Sequence, residues 1–253
     1  MQNDACEIKV SVITVCFNSE KTIERTIKSV LGQTYNNIEY IIVDGTSTDS
    51  TLDIVNKYIE QGYAIISSSE KDNGIYDAMN KGILKSSGEI ISIINSDDWL
   101  EEDAIEQVVN EYYRIGKPKK AVIYGAIREF ENDMEKFSVF YNHEFLPEEM
   151  INHPSSFVTK AVYDTYGMFD QSFKVAADYD FMLRLYYAER ETGEKLFYPL
   201  KKILANFTIG GACSMPIAYL DRDRVYLKYG IISKKTFIKH KIVRGIKYFA
   251  KYR

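Results

Sequence analysis

Cysteine is scarce in this chain. Cys6, Cys16 and Cys213 are odd in number, far apart and without a Cys-x-x-Cys pair, which excludes a disulfide framework and a cysteine zinc site and fits a reducing compartment. The start, Met1-Gln2-Asn3-Asp4, lacks both the basic stretch and the apolar core of an export signal, and no run of about 18 apolar residues occurs anywhere. The expectation is a protein that neither uses a standard export signal nor spans a membrane. Gly-x-Gly-x-x-Gly and Gly-x-x-x-x-Gly-Lys segments are also missing, which argues against a Rossmann dinucleotide site and a phosphate-loop kinase. No internal repeat or low-complexity linker interrupts the 253 residues, a length that can bury a full sheet between helix layers.

Acidic residues are absent from one segment. Residues 224–253 hold ten of the 32 Lys and Arg and none of the 36 Asp and Glu, so the preceding body carries −14 and the tail +10. An acidic body is a poor binder of nucleic acid, whereas a cationic tail is drawn to anionic lipid head groups or phosphates. Within the tail, Ile238, Ile242, Ile246 and Phe249 recur at i, i+4, i+8 and i+11 between Lys239, Lys241, Arg244, Lys247 and Lys251. An apolar stripe with basic flanks suits a helix lying in a lipid head-group layer. A helix docked on the domain with a solvated basic face is the competing reading.

What is present is an alternation of strand and helix patterns, the mark of a mostly parallel sheet with crossover helices. Strands are expected at Ile8–Phe17, Ile38–Val43, Tyr63–Ser67 and Glu89–Ile94, with Ser19 capping the first helix. Shorter antiparallel pieces follow at Ala121–Phe130 and Lys136–Tyr141, and then a polar, aromatic region from His153 to Tyr187. The 20 Tyr and 13 Phe supply ring-stacking surfaces as well as core.

In open α/β sheets ligands bind beyond the carboxyl ends of the strands. Here those ends carry Asn18, Asp44, Glu70 to Asn73, and Asp97-Asp98. Two adjacent carboxylates repel unless a cation or solvent neutralises them, and hard oxygen ligands suit Mg²⁺ or Mn²⁺ holding a diphosphate. A solvated turn with a helix cap is the plainer alternative.

Taken together, Val10 to Ser19, Ser29-Val30-Leu31-Gly32-Gln33-Thr34-Tyr35, Ile42 to Thr51, Asp72 to Ile83, Asn95-Ser96-Asp97-Asp98-Trp99, His153-Pro154-Ser155-Ser156-Phe157, Gly167-Met168-Phe169-Asp170 and Ala177 to Leu185 resemble, in order, the motifs of family 2 glycosyltransferases of the bacterial O-antigen, capsule and colanic-acid type. The resemblance spans roughly residues 8 to 190. It implies a GT-A fold, a Rossmann-like α/β architecture with a mostly parallel sheet, helices on both faces, a small antiparallel acceptor-side sheet and C-terminal basic helices. The implied division is a GT-A domain over 1–215, with donor half about 1–115 and acceptor half about 116–215, and a helical tail over 216–253.

The resemblance also implies roles. Asp44 contacts the uracil, with Val15 and Phe17 against the base, although Gly45 stands where the family commonly has a second acid. Asn18, Asp72, Asn73, Asp77 and Asp97 are donor-side candidates. Asp98 is the expected ligand of a Mn²⁺ or Mg²⁺ ion, with Asp97 supporting the ribose or a metal-bound water, and Asn95 replaces the first acid of the fuller motif. Met79 stands where family members often carry Arg. Asp178 is the expected catalytic base.

On the acceptor side the candidates are Trp99, His153 and Asp180. Asp180 lies about 200° round a helix from Asp178, and its structural alternative is a pairing with Arg184 at i+4. The implied reaction is an inverting transfer from a UDP-hexose, UDP-glucose or UDP-galactose, to GlcNAc or GalNAc on undecaprenyl diphosphate or to a growing surface polysaccharide. Its implied place is the inner face of the cytoplasmic membrane, with a homodimer left open. The rivals are a GDP- or dTDP-sugar transferase, a nucleotidyltransferase of similar sheet, and a catalytically silent membrane-associated scaffold.

Overall fold

A computed structural model describes residues 8–211 and 216–251, and side chains as far as Arg244 apart from Pro216. Cys6 and Cys213, the N-terminal residues 1–7 and the side chains of Ile246, Lys247, Phe249 and Lys251 fall outside that description.

Four parallel strands form the first half: β1 (Val10–Cys16), β2 (Ile38–Asp44), β3 (Ile65–Ser69) and β4 (Ile90–Asn95). They are linked by α1 (Ile23–Leu31), α2 (Thr51–Glu60) and α3 (Ile75–Lys85). β1 lies between β2 and β4, so the order 3-2-1-4 reverses direction at β1 and opens a crevice at the carboxyl ends of β1 and β4. The strands are apolar on both faces because both are covered. Ile13, Val15, Ile91 and Ile93 pack with Met79 and Ile83 of α3. Val10, Val12, Ile90 and Ile94 pack on the other face with Ile23 and Ile27 of α1. Gly82 permits the first contact, since a Cβ there would lie 2.4 Å from Cγ2 of Ile13.

Beyond β4 come β5 (Trp99–Leu100), α4 (Ala104–Arg114), β6 (Val122–Glu131), β7 (Met134–Val139), β8 (Ser156–Thr159), α5 (Lys160–Tyr166), α6 (Ala177–Thr192) and β9 (Phe197–Thr208). The antiparallel hairpin expected from sequence is present as β6 and β7. It does not stand as a separate small sheet. β8 inserts antiparallel between β4 and β6 and joins everything into one nine-stranded sheet, ordered 3-2-1-4-8-6-9-5 with β7 on β6. β9 runs parallel to β6 and returns the chain to β5, beside the Asp97-Asp98 turn. Two 3-10 turns, His143–Phe145 and His153–Ser155, carry the chain from β7 to β8, the second of them past the same crevice.

Ser19 does not cap α1 through its side chain. Its carbonyl accepts the N–H groups of Thr22 and Ile23, and its hydroxyl meets that of Ser96 at 2.7 Å. The helix therefore starts four residues later than Ser19, at Ile23.

The tail forms α7 (Pro216–Lys228) and α8 (Lys234–Lys251). α7 packs on α6: Lys228 pairs with the buried Asp180 at 2.6 Å, and the Tyr229 hydroxyl donates to the Asp180 carbonyl at 3.1 Å. α8 is tied to α7 by the buried Asp223, which takes both His240, at 3.3 Å, and Arg244. No helix among the described residues is long and apolar enough to cross a membrane.

Candidate active site

The carboxyl ends of β1 and β4, the start of α3, the His153 turn, the N-terminus of α6 and the end of β9 enclose a cleft of about 970 Å³. Each wall is fixed by a local device.

On the β1 side, Phe17 follows the strand end and is 61% exposed, an apolar platform in an otherwise polar rim. Asn18 takes a left-handed φ of 49° and binds the facing loop from both ends. Its N–H donates to Ser47 Oγ at 2.8 Å and its Oδ1 accepts the Thr48 N–H at 2.9 Å. Asp44, expected to meet the base, does not reach the cleft surface. It is fully buried and its carboxylate is taken up by the Ser47 N–H (2.9 Å), the Ser47 hydroxyl (2.5 Å) and the Ser69 hydroxyl (2.6 Å). Burial, with Asp44 beside it, pushes the Cys16 thiol well above its ordinary range. Asp44 thus shapes the loop after β2.

The carboxylate that does occupy this corner belongs to Asp72. A Cβ on Gly45 would lie 2.5 Å from Asp72 Oδ2 and 3.5 Å from the Phe17 ring. Gly45 therefore leaves room for Asp72 beside the aromatic platform, and a side chain at that position would require the Asp72 carboxylate to shift. Asn73 and Asp77 lie beside the cleft and not in its lining. Asp77 accepts the Asn73 N–H at 2.9 Å and pairs with Lys81, closing the first turn of α3. Val15 lines the floor, 4% exposed.

At the end of β4 the two acids divide. Asp97 lines the cleft. Asp98 is fully buried and lies outside the lining: Oδ1 accepts the Thr208 N–H at 2.9 Å and Oδ2 faces the Asn95 amide at 3.4 Å. The turn is clamped by distant residues. Thr26 donates to the Asp98 carbonyl at 2.6 Å, while Thr208 Oγ1 and Arg25 donate to the Asp97 carbonyl at 2.6 and 3.0 Å. Burial raises the proton affinity of both carboxyls. For Asp98 the neighbouring Asp97 adds to the rise, and Arg25 offsets part of it for each.

These features fit a divalent cation on the Asp97 side. The pair holds negative charge that burial disfavours, and Asn95, a cleft residue, keeps a buried Oδ1 without a partner. Among the described residues no three His, Cys, Asp or Glu side chains gather. The protein would supply few oxygens and leave the rest to water and substrate phosphate, as Mg²⁺-type sites do.

Opposite stands Asp178, the second residue of α6. Its Oδ1 accepts the Tyr76 hydroxyl at 2.8 Å and the Tyr179 N–H at 2.9 Å. Both of these bonds are to Oδ1, and none to Oδ2 is formed among the described residues, while Asp178 lines the cleft. Tyr76 is buried, and burial together with Asp178 holds its hydroxyl protonated, well above the ordinary tyrosine value. His153 lines the same wall, 9% exposed and edge-on to Phe169. Its burial lowers the imidazole's proton affinity, against a smaller opposing pull from Asp178.

Two acceptor-side candidates are not brought into the lining. Asp180 is fully buried between Arg184 (3.2 Å) and Lys228, the structural pairing that its i+4 spacing allows. Trp99 packs against Phe130, with the Arg25 guanidinium 3.7 Å above its ring. Sequence reasoning missed Tyr76, whose only signal was its place inside a motif. It also missed Arg25, Thr208 and Lys174, which reach the site through tertiary contacts.

The sequence profile of Glycosyl transferase family 2 matches residues 11–177. An uncharacterized glycosyltransferase of Mycobacterium tuberculosis is 34% identical over 179 residues, 69% of this chain and 68% of that protein. Chondroitin synthase of Escherichia coli is 31% identical over 181 residues, which cover 70% of this chain and 26% of the synthase. Among solved structures, S. aureus TarS residues 1–349 in complex with UDP-GlcNAc superposes with a TM-score of 0.68 at 20% identity, covering 86% of this chain and 65% of that one. The likeness is in the fold, which is GT-A, and this chain spans about two thirds of the TarS fragment.

Proposed function

We propose that this chain, which belongs to glycosyl transferase family 2, transfers a hexose from a UDP-sugar to a hydroxyl of a lipid-diphosphate-linked GlcNAc or GalNAc or of a growing surface polysaccharide, with inversion to a β-linkage. The observation that carries the reading is the pairing of Asp97 with Asp178 across one cleft beside the Phe17 platform. The uracil stacks on Phe17, and the Asp72 carboxylate accepts its imide N–H. Asp97 and Asn95 would hold a Mn²⁺ or Mg²⁺ ion, which would offset charge on the departing diphosphate.

Asp178 performs the proton transfer. Tyr76 and the Tyr179 N–H fix Oδ1, so Oδ2 receives the proton of the acceptor hydroxyl as that oxygen bonds to the anomeric carbon. The bond from the anomeric carbon to the diphosphate breaks on the opposite side, and UDP leaves as the anion. Buried and neutral, His153 offers a ring nitrogen to the acceptor or diphosphate oxygens.

Isothermal titration of UDP, GDP and dTDP, and then of UDP-glucose, UDP-galactose and UDP-GlcNAc, with and without MnCl₂ tests this. The expected result is metal-dependent binding of UDP at least about tenfold tighter than GDP, with UDP as the product released on turnover. Release of pyrophosphate would point to nucleotidyl transfer, and no metal-dependent nucleotide binding would point to a silent scaffold.

The acceptor class is supported by the tail. α8 docks through His240 and Arg244 on one side, while Ile238 (56%), Ile242 (57%), Lys239 and Lys241 are exposed. That arrangement suits an anionic membrane surface at the inner face of the cytoplasmic membrane. Full-length protein is expected to co-sediment with phosphatidylglycerol vesicles, and an Ile238→Ser, Ile242→Ser variant to lose most of that binding. Equal sedimentation of the two would remove the membrane assignment.

A further inference from the structure

Two lysines, Lys21 and Lys174, line the cleft, and Lys174 has a built support. Its backbone N–H and that of Val175 both donate to one oxygen of Asp221, at 2.5 and 3.0 Å. Asp221 is a carboxylate of α7 only 1% exposed, and its other oxygen is held by Arg224 at 2.9 Å. Arg224 also donates to the Ser172 carbonyl at 3.1 Å. The turn that precedes Asp178 by four residues is thus braced from behind by the tail.

In front of it, the Lys174 ammonium reaches only the Asn73 carbonyl, at 3.5 Å, where the donor-side loop meets the acceptor-side turn. Among the described residues it forms no ion pair. Its neighbours differ: Lys81 is held by Glu70 and Asp77, and Lys228 by Asp170 and Asp180. The α3 wall contributes Ile75, Tyr76, Ala78 and Met79 to the cleft, and no cation. An exposed ammonium on a fixed backbone, in a cleft whose other charges include Asp72, Asp97 and Asp178, has no protein partner to neutralise it and suits an anionic ligand group.

We propose that Lys174 is a phosphoryl-binding residue, its ammonium donating to a phosphate oxygen of the substrate between the two halves of the cleft. This rests on the sugar-nucleotide reading above. The phosphoryl group belongs either to the donor diphosphate or to the diphosphate of a lipid-linked acceptor. Titration of UDP and of uridine, with MnCl₂, into wild type and Lys174→Gln decides the first source. Donor contact predicts UDP binding weakened about tenfold with uridine unchanged, and substantial recovery in Lys174→Arg.

If UDP binding is unchanged, the KM for a prenyl-diphosphate-linked GlcNAc is compared with that for an alkyl GlcNAc lacking phosphate. A rise of about tenfold confined to the phosphorylated acceptor assigns the second source. No change in either comparison overturns the role of Lys174 while leaving the transferase reading intact. Failure of the wild type to bind UDP overturns the reading itself, and this inference with it. The side chain is exposed, so the variants are expected to fold, and an unchanged melting temperature verifies that.

Discussion

Replacing Asp178 with asparagine is expected to lower kcat by about 10²–10⁴-fold and to leave metal-dependent UDP binding within about twofold of wild type. The amide keeps the size of the carboxylate and can still accept from Tyr76, but it cannot take up the proton of the attacking hydroxyl. A structural role for Asp178 would instead disturb donor binding or the melting temperature, and full turnover by the variant would remove it as the base. Tyr76→Phe adds a reading of mechanism. The Tyr76 hydroxyl donates to Asp178 Oδ1 at 2.8 Å, a bond that fixes the orientation of the carboxylate. Without it the carboxylate loses the donor that orients it, and kcat is expected to fall about tenfold while metal-dependent UDP binding stays unchanged. An unchanged kcat would mean that this bond only positions the tyrosine.

The second large effect separates the two acids after β4. Asp97→Asn is expected to weaken Mn²⁺-dependent UDP binding by about 100-fold, or about 2.7 kcal/mol, whereas Asp98→Asn keeps binding within a few fold. The reason is position: Asp97 faces the cleft, and Asp98 lies behind it under Thr208. Similar losses from both variants would instead assign the ion to the pair as a unit.

Asp98 has its own signature in stability. Its folded-state pKa is raised above the ordinary carboxylate value, by burial first and by Asp97 second. In metal-free protein the folded state therefore binds more protons than the unfolded chain over the interval between the two pKa values. Stability falls as pH rises through that interval. Asp98→Asn removes the group, so the melting temperature of the metal-free variant is expected to vary less with pH and to exceed that of wild type at neutral pH. Thr208 can still donate to the asparagine oxygen, and Asn95 can turn its unpartnered Oδ1 toward the new amide. A melting temperature lower than wild type at every pH would show that the ionised carboxylate stabilises the turn.

The parallel half of the fold was legible because its information is local. Strands apolar on both faces, as in Ile38–Asp44 and Ile90–Asn95, and helices with a stripe such as Ile23, Ile27 and Val30 announce buried sheet and covering helix from short windows of sequence. The acceptor half was harder. β9, whose first half holds a single buried residue, Phe197, among half-buried and exposed ones and includes Pro199, Lys201 and Lys202, gives little periodic signal, yet it is the strand that brings Thr208 to Asp98. Its pairing with β6 and β5 is decided by contacts about 75 to 105 residues apart in sequence.

Within the site, the order of residues determined which chemistry was on offer: acids beyond the strand ends, an aromatic after β1, and an acid opening α6. It could not determine which acid faces the substrate, because adjacent residues in a turn point in different directions and only their neighbours select which is buried. Asp44 and Asp98 are drawn inward by Ser47, Ser69 and Thr208, while Asp72 and Asp97 remain at the surface of the cleft. Tertiary packing made that choice, since a buried carboxylate persists only where donors converge on it, and while Ser47 is local to Asp44, Ser69 and Thr208 come from strands that the sequence holds far from the acids they bind.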